Sequence, residues 1–195
     1  MAQFSRSENL SVFDDYRKYV PWLRLDFMYR CAYCERKELC IGGEEFFAVD
    51  HFKPRRFIDL LAKYENLYYS CRKCNEYKHD TWPAEEGIPK GIRFSDPCAE
   101  DMYVVHLSER QDGKLDALTE CGRYTRDHIR LERPVLAEWR RTRRTALEDI
   151  PVLEAALAGL ELLASLETDD LKKHSSLRQI EALRRRIEMD RARFL

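Results

Sequence analysis

The chain has 195 residues, of which 44% are hydrophobic and 35% charged, so it can bury a core and favours long solvated helices over disorder. A formal net charge of -1 excludes a protein that coats nucleic acid indiscriminately, so any such contact must come from a local basic surface. No apolar run approaches the roughly 18 residues of a membrane span, and the N-terminus lacks a signal-peptide core, which predicts a cytoplasmic protein without a membrane segment.

The first half of the chain alternates between one helical stretch and a cysteine-rich region. Residues 12–30 place apolar side chains at intervals of three and four, which predicts an amphipathic helix that Pro21 breaks, kinks or begins. Residues 31–83 change to short strands and turns, with a strand at 45–49 after two glycines. Residues 84–101 are rich in Pro, Gly and acidic residues and predict an irregular connector.

The second half predicts a β-hairpin followed by helices. Residues 102–108 and 114–118 are expected to be strands joined across Asp112-Gly113. Everything after about residue 122 is helical in pattern, and a last helix near 169–193 would turn these residues inward: Leu171, Leu177, Ile180, Leu183 and Ile187. We therefore expect an α+β protein with two parts, residues 1–100 and residues 101–195, the latter a β-hairpin with an α-helical C-terminal region.

Two Cys-x2-Cys pairs, Cys31 with Cys34 and Cys71 with Cys74, carry the clearest chemical signal. Each spacing lets two thiolates of one turn reach the same ion at ~2.3 Å, and two such turns complete a tetrahedron. Four sulfur ligands leave no open position, so the sequence predicts a structural Zn²⁺ that contributes on the order of 10 kcal/mol to folding. A chance pair or a redox-active site is the alternative. The remaining cysteines are interpreted as free thiols: Cys40, Cys98 and Cys121.

Between and after these pairs lie residues suited to a hard metal ion and a base. Asp50 and His51 are neighbours at the expected end of a strand, where their side chains project in different directions. One side chain can hold a divalent ion while the other acts on a nearby water. Asn75 follows the second pair at the start of an expected helix, where its amide oxygen would be a second ligand for Mg²⁺.

Taken together, these residues resemble the HNH family, also called His-Me finger or ββα-metal nucleases. The resemblance covers about residues 28–83 and is carried by Cys31-x2-Cys34, Asp50-His51-x2-Pro54, Asn66-Leu67 and Cys71-x2-Cys74-Asn75-x2-Lys78. It implies a zinc-stabilised ββα-metal core with an N-terminal helix, placed in residues 1–100. The implied activity is phosphodiester hydrolysis that leaves 5′-phosphate and 3′-hydroxyl ends.

The resemblance also implies a role for each matched residue. His51 would activate the attacking water, and Asp50 and Asn75 would hold Mg²⁺ or Mn²⁺. Asn66 would pin the loop that orients the base, and Lys78 would stabilise charge near the phosphate. The third motif position is asparagine rather than histidine, so His79 is an alternative ligand. The simpler interpretations are that Asn66 caps a turn and that Lys78 is a solvated helix residue. Three other histidines are interpreted as core or surface residues: His106, His128 and His174.

DNA is the expected substrate, bound by a local basic surface. The candidates are two residues beside the Asp-His pair and four in a helical arginine cluster: Lys53, Arg55, Arg140, Arg141, Arg143 and Arg144. A solvated helix face is the alternative for the cluster. Two other functional classes share these features, namely a non-catalytic zinc module that binds nucleic acid or protein, and an RNase toxin.

A second, looser resemblance concerns partners. Residues 129–141 are similar to a tail of stand-alone bacterial HNH proteins, some of which act beside an ATPase in anti-phage defence. It implies an ATPase partner, and the long helices would equally serve a homodimer.

Overall fold

The computed structural model describes residues 3–195, which divide after Glu138 into two compact units. The predicted division at residue 100 differs from this boundary. Leu107, Leu115, Leu131 and Leu136 are buried in the same hydrophobic cluster as Tyr68 of the cysteine-rich region. The predicted β-hairpin therefore belongs to the first unit, because its apolar side chains complete that core.

The helix expected at residues 12–30 is shorter in the structure. A 3-10 turn at Tyr16–Tyr19 leads into helix α1, Val20–Asp26, which has Pro21 in its first turn. Proline is tolerated there because the first helical amides need no partner within the helix. Two positive φ angles at residues 28 and 29 end the helical path just before the first cysteine pair.

The centre of the first unit is a ββα arrangement. Strand β1, Phe47–His51, pairs antiparallel with strand β2, Leu67–Cys71, so that Asp50 lies opposite Tyr68. Helix α2, Arg72–Lys78, follows β2 without a loop. The strand expected at 45–49 starts two residues later, since a 3-10 turn occupies residues 44–46. The order strand, strand, helix agrees with the predicted core and brings both cysteine pairs next to the sheet.

A second, smaller hairpin follows the connector, which is irregular apart from a 3-10 segment at residues 85–90. Strands β3, Leu107–Glu109, and β4, Leu115–Ala117, pair antiparallel around Gly113, whose φ of 77° suits a tight turn. The prediction of a strand from residue 102 is wrong in its first half. Residues 102–105 form the short helix α3, because the Asp101 side chain caps its first amides.

A polar network joins the connector to this hairpin. Arg93 donates two hydrogen bonds to Glu100, at 2.6 and 2.9 Å. The Nε2 atom of His106 lies 3.0 Å from the same carboxylate, and its Nδ1 lies 2.7 Å from the hydroxyl of Thr119. Thr119 is the N-cap of helix α4, Glu120–His128, so the network fixes the start of that helix as well.

This network makes the free energy of unfolding depend on pH in the acidic range. Burial alone would raise the pKa of Glu100, but the hydrogen bonds from Arg93 and His106 outweigh it and lower the pKa to about 2. Because the folded pKa lies below the ordinary value of 4.5, the stabilisation is complete above pH 4.5 and is lost as pH falls toward 2. We expect Glu100→Gln to cost roughly 1–2 kcal/mol at pH 7, after allowance for solvent screening.

Urea denaturation at several pH values tests this expectation. The free energy of unfolding should fall more steeply between pH 4.5 and pH 2 in the native chain than in Glu100→Gln. Exposed Glu86 supplies the matched control, since Glu86→Gln changes the same charge outside the network. Equal pH profiles for all three proteins would contradict the assignment.

The remaining helices are long. Helix α5, Pro134–Leu166, and helix α6, Asp170–Phe194, are joined by a short turn at 167–169. Within residues 139–195 the two run antiparallel, because Glu154 binds Arg191 and Glu161 binds Arg184. No helix in the described part of the chain is both long enough and apolar enough to cross a membrane.

Only part of the predicted inner stripe of α6 is buried. Ile180 and Ile187 are each 4% exposed, whereas Leu171 and Leu177 are exposed. Within residues 139–195, α6 packs against α5 alone, and one neighbour can cover only one narrow face of a helix. The prediction of an inward position is therefore wrong for Leu171 and Leu177.

Candidate functional site

The four paired cysteines come together in the interior of the first unit. All four are buried, and their sulfur atoms lie within 4.8 Å of one another. The Cys34 and Cys71 sulfurs are 3.9 Å apart, close to the edge of about 3.8 Å that a tetrahedron with ~2.3 Å Zn–S bonds would have. The predicted clustering is confirmed, and the donor set and spacing fit a structural Zn²⁺.

The surroundings of the four-cysteine cluster favour the thiolate form of its sulfur atoms. Arg133 directs Nη2 at the Cys74 sulfur from 3.3 Å. Burial raises the pKa of the Cys31 thiol, whereas hydrogen bonds from the three neighbouring cysteines lower that of Cys71. One thiolate is thus stabilised by the others, and charging all four in a buried site requires a cation.

An open cavity of ≈ 560 Å³ in the first unit is lined by several of the other predicted site residues. Asp50 and His51 from the end of β1 line it together with Asn75 from α2. The pairing of β1 with β2 and the direct passage of β2 into α2 bring these side chains to one place. A carboxyl, an imidazole and an amide side chain therefore line a single solvent-accessible space.

The imidazole of His51 is fixed in orientation. Its Nε2 lies 3.0 Å from the carbonyl oxygen of Leu61, and the ring packs edge-on against Tyr16 with centroids 4.8 Å apart. Since a carbonyl only accepts hydrogen bonds, Nε2 carries the proton and Nδ1 keeps its lone pair. Burial lowers the pKa of His51, so the ring is neutral and able to accept a proton at neutral pH.

Asn66 fixes the loop that carries the Leu61 carbonyl. Its side-chain oxygen accepts from the Lys53 amide at 2.8 Å, and its Nδ2 donates to the Lys53 carbonyl at 3.0 Å and to the Leu60 carbonyl at 3.2 Å. These bonds link the start and the end of the segment 53–61. Asn66 is thus more than a turn cap, because it ties two distant points of the loop.

Lys78 lies in the interior rather than at the cavity surface. Its side chain is completely buried, and Nζ donates to the Asp50 carboxylate at 3.1 Å and to the His51 carbonyl at 2.7 Å. Both predicted positions, beside the phosphate or in solvent, therefore need correction. The helix turns this residue inward, where its charge compensates that of buried Asp50.

The carboxylate of Asp50 has a second partner that the motif did not indicate. The buried hydroxyl of Tyr33 donates to Oδ2 of Asp50. Asp50 is only 3% exposed, and burial raises its pKa despite the opposing effect of Lys78. A carboxylate in such surroundings gains more from a nearby cation than an exposed one does.

Asn75 and His79 occupy opposite ends of the same turn. Asn75 is half-buried, and His79 is exposed at the end of α2 with a φ of 47°. Both line the cavity. Asn75 is the closer match to the expected ligand because it lies within the helix, and His79 stays an alternative.

The cavity has a basic side. The exposed residues Arg55 and Arg72 line it, and Lys53 is exposed on the neighbouring loop. Acidic Glu76 lies on the lining too, but it is paired with Lys73 at 3.0 Å. In the arginine cluster of residues 140–144, Arg140 is only 1% exposed, so its expected place on a phosphate-binding surface needs correction.

Two features of the structure were not predicted from the sequence. Neither Tyr33 nor Tyr16 was predicted to be a site residue. The position of Tyr33 between two metal-binding cysteines is the one local feature of the sequence that indicates a role for it. A second group, Glu100, His106 and Cys121, places donor atoms within 4.8 Å of one another. We interpret it as structural, because Arg93 pairs with both oxygens of Glu100 and burial raises the pKa of Cys121 to about 11.

Comparison with known proteins agrees with this geometry. Residues 31–81 match the family model described as HNH endonuclease. The matched range begins at Cys31, ends shortly after Lys78 and includes every residue that lines the centre of the cavity. No curated protein and no solved structure gives a match to the chain.

Proposed function

With the HNH endonuclease domain of residues 31–81 as its core, we propose that the chain is a metal-dependent endonuclease that hydrolyses phosphodiester bonds in DNA. One observation carries the proposal. Asp50, His51 and Asn75 line the same open cavity, and Arg55 and Arg72 lie on its wall. A binding module has no need for a hard-ligand pair beside a neutral, oriented imidazole.

In the proposed reaction, His51 is the general base. Nδ1 takes a proton from a water molecule, and the oxygen of that water attacks the scissile phosphorus. The bond from phosphorus to the 3′ oxygen breaks, which leaves a 5′-phosphate and a 3′ oxygen that takes a proton from solvent. The imidazolium that forms is held by the Leu61 carbonyl, which accepts the Nε2 hydrogen bond. Asn66 holds this carbonyl in place through the loop, so it acts on the reaction through the orientation of the base.

The oxygen donors of the cavity suit Mg²⁺ or Mn²⁺. Asp50 would supply a carboxylate oxygen and Asn75 its amide oxygen, both of which are hard ligands. When bound, such an ion would polarise the phosphate and stabilise the leaving 3′ oxygen. Lys78 does not contact the substrate in this scheme. It balances the charge of Asp50 from the protein interior. Zn²⁺ in the four-cysteine site would stay structural.

Cleavage of supercoiled plasmid with and without added Mg²⁺ or Mn²⁺ tests the proposal. Asn75→Ala is the informative variant, since the Asn75 side chain makes no hydrogen bond to another described residue. We expect nicking that requires the ion and that falls at least tenfold in Asn75→Ala at limiting metal, in line with the loss of one ligand. An exposed asparagine outside the site, Asn9, supplies the control variant Asn9→Ala.

Two outcomes would redirect the proposal. Cleavage of a matched single-stranded RNA in preference to plasmid would assign the same site to an RNase. Absence of cleavage on both substrates, with the folded protein still binding DNA, would assign it to the non-catalytic class.

Nucleic-acid binding is proposed to use two groups of basic residues. Lys53 and Arg55 lie beside the cavity, while Arg141, Arg143 and Arg144 belong to the second unit. Buried Arg140 is left out. Replacing the three second-unit arginines by glutamate should weaken DNA binding and reduce the slope of log affinity against log salt by about 2–3, at ~0.9 per lost phosphate contact.

A matched triple variant of Arg184, Arg185 and Arg186 tests whether position matters. These residues carry the same charge but lie on α6 rather than on α5. Their replacement by glutamate should change the salt slope less. If fluorescence anisotropy gives equal losses for both triple variants, charge alone explains the effect and the proposed surface is wrong.

A further inference from the structure

Two side chains, each from an element that carries cysteines of the four-cysteine site, contact Asp50. Tyr33 lies between the two cysteines of the first pair, Cys31 and Cys34, and its hydroxyl donates to Oδ2 of Asp50. Lys78 lies on α2, the helix that carries Cys74, and its Nζ is 3.1 Å from the same carboxylate. The two contacts reach Asp50 from two separate elements, and the cysteines of both elements come together in the four-cysteine site.

The surrounding core holds both of these contacts in place. The Tyr33 side chain and the Lys78 side chain are both completely buried, so neither can turn away without opening the core. Tyr33 is also held along the backbone, because the neighbouring cysteines lie in the cluster and the Tyr103 hydroxyl donates to the Tyr33 carbonyl at 2.8 Å. The position of the Tyr33 hydroxyl is thus set by the geometry of the cysteine turn.

We propose that Tyr33 is a positioning residue that couples the four-cysteine site to the divalent-cation site at Asp50. The inference rests on the proposed function, in which Asp50 is a ligand of that cation. The hydroxyl fixes the orientation of the Asp50 carboxylate at the wall of the cavity. The cysteine cluster then does more than stabilise the fold, since it fixes an outer partner of the second metal.

A residue that donates a hydrogen bond to a metal ligand affects how tightly the metal binds. Loss of such a partner typically costs 10–100-fold in metal affinity. Tyr33→Phe removes only the hydroxyl and leaves a ring of the same shape in the core. We therefore expect this variant to raise the dissociation constant for Mn²⁺ about tenfold while the zinc content stays at that of the native chain.

The experiment is a Mn²⁺ titration of the full zinc-loaded chain, with free Mn²⁺ followed by electron paramagnetic resonance. Tyr103→Phe is the matched control, because it removes a tyrosine hydroxyl bonded to the same cysteine turn without contacting Asp50. Asp50→Asn reports whether Asp50 is a ligand at all. Zinc content and melting temperature are measured for every variant, so that a change in folding is recognised.

The outcomes separate the two proposals. Weakened Mn²⁺ binding in Tyr33→Phe, with Tyr103→Phe within twofold of the native chain, supports the coupling. Native affinity in Tyr33→Phe together with lost binding in Asp50→Asn overturns the coupling and leaves the proposed function intact. Native affinity in Asp50→Asn removes Asp50 as a ligand and overturns both.

Discussion

Removal of the metal from the four-cysteine site is expected to unfold the first unit of the chain. The four sulfurs are buried among the residues that form its hydrophobic cluster, including Phe27 and Tyr68. Without a cation, the buried thiols lose their common partner, and the two turns that carry them lose their connection. Zinc sites of this kind contribute on the order of 10 kcal/mol, which equals the whole stability of an ordinary domain.

Circular dichroism during chelation measures this effect. We expect loss of the folded signal as zinc is released, at one ion per chain, and recovery when zinc is returned. Cys34→Ser should behave like the chelated protein, while Cys40→Ser should stay folded because Cys40 lies outside the cluster. An unchanged spectrum and melting temperature in metal-free protein would refute a structural role for zinc.

The local motifs of the site could be predicted because their chemistry depends on short spacings. Two residues between cysteines suffice to form a metal-binding turn, and Asp50 next to His51 needs only the end of a strand. The clustering of the cysteines and the ββα order were therefore predictable from the sequence. The family match at residues 31–81 agrees with them.

The contacts that orient these groups could not be predicted in the same way. Lys78 looked like a solvated or phosphate-facing lysine, because a charged side chain is rarely buried without a partner. Its partner, Asp50, is 28 positions away in the chain, and only the folded core shows that the two meet. The contact between His51 and the Leu61 carbonyl could not be predicted either, since every residue has a backbone carbonyl and the residue type does not show which one is used.

The compact unit that ends at Glu138 differs from the predicted part of residues 1–100 for a related reason. Turn-forming residues at 84–101 indicate a connector, but they do not show whether the following residues return to the same core. Leu107 and Leu136 do return, and both are buried there. Helix periodicity likewise predicted the helices after residue 122, yet it could not tell which apolar face of α6 would find a partner.

Replacement of His51 by alanine is expected to lower the rate of single-turnover DNA cleavage by about 10²–10⁴-fold, the usual contribution of a general base. The loss should be confined to the chemical step. Asp50 keeps its bonds to Tyr33 and Lys78 in this variant, so Mn²⁺ affinity should stay within a few-fold of the native value. Loss of metal binding would instead indicate that His51 acts mainly by holding the site together.

Chemical rescue distinguishes a missing base from a damaged fold. The alanine variant leaves a space between Tyr16 and the Leu61 carbonyl that adjoins the open cavity, so added imidazole can enter and accept a proton there. We expect imidazole to restore part of the rate in His51→Ala and to leave the native rate unchanged. His128→Ala removes an exposed histidine outside the cavity and should retain native activity. Activity in His51→Ala within twofold of native would show that another group activates the water, and His79 on the cavity wall would be the next residue to replace.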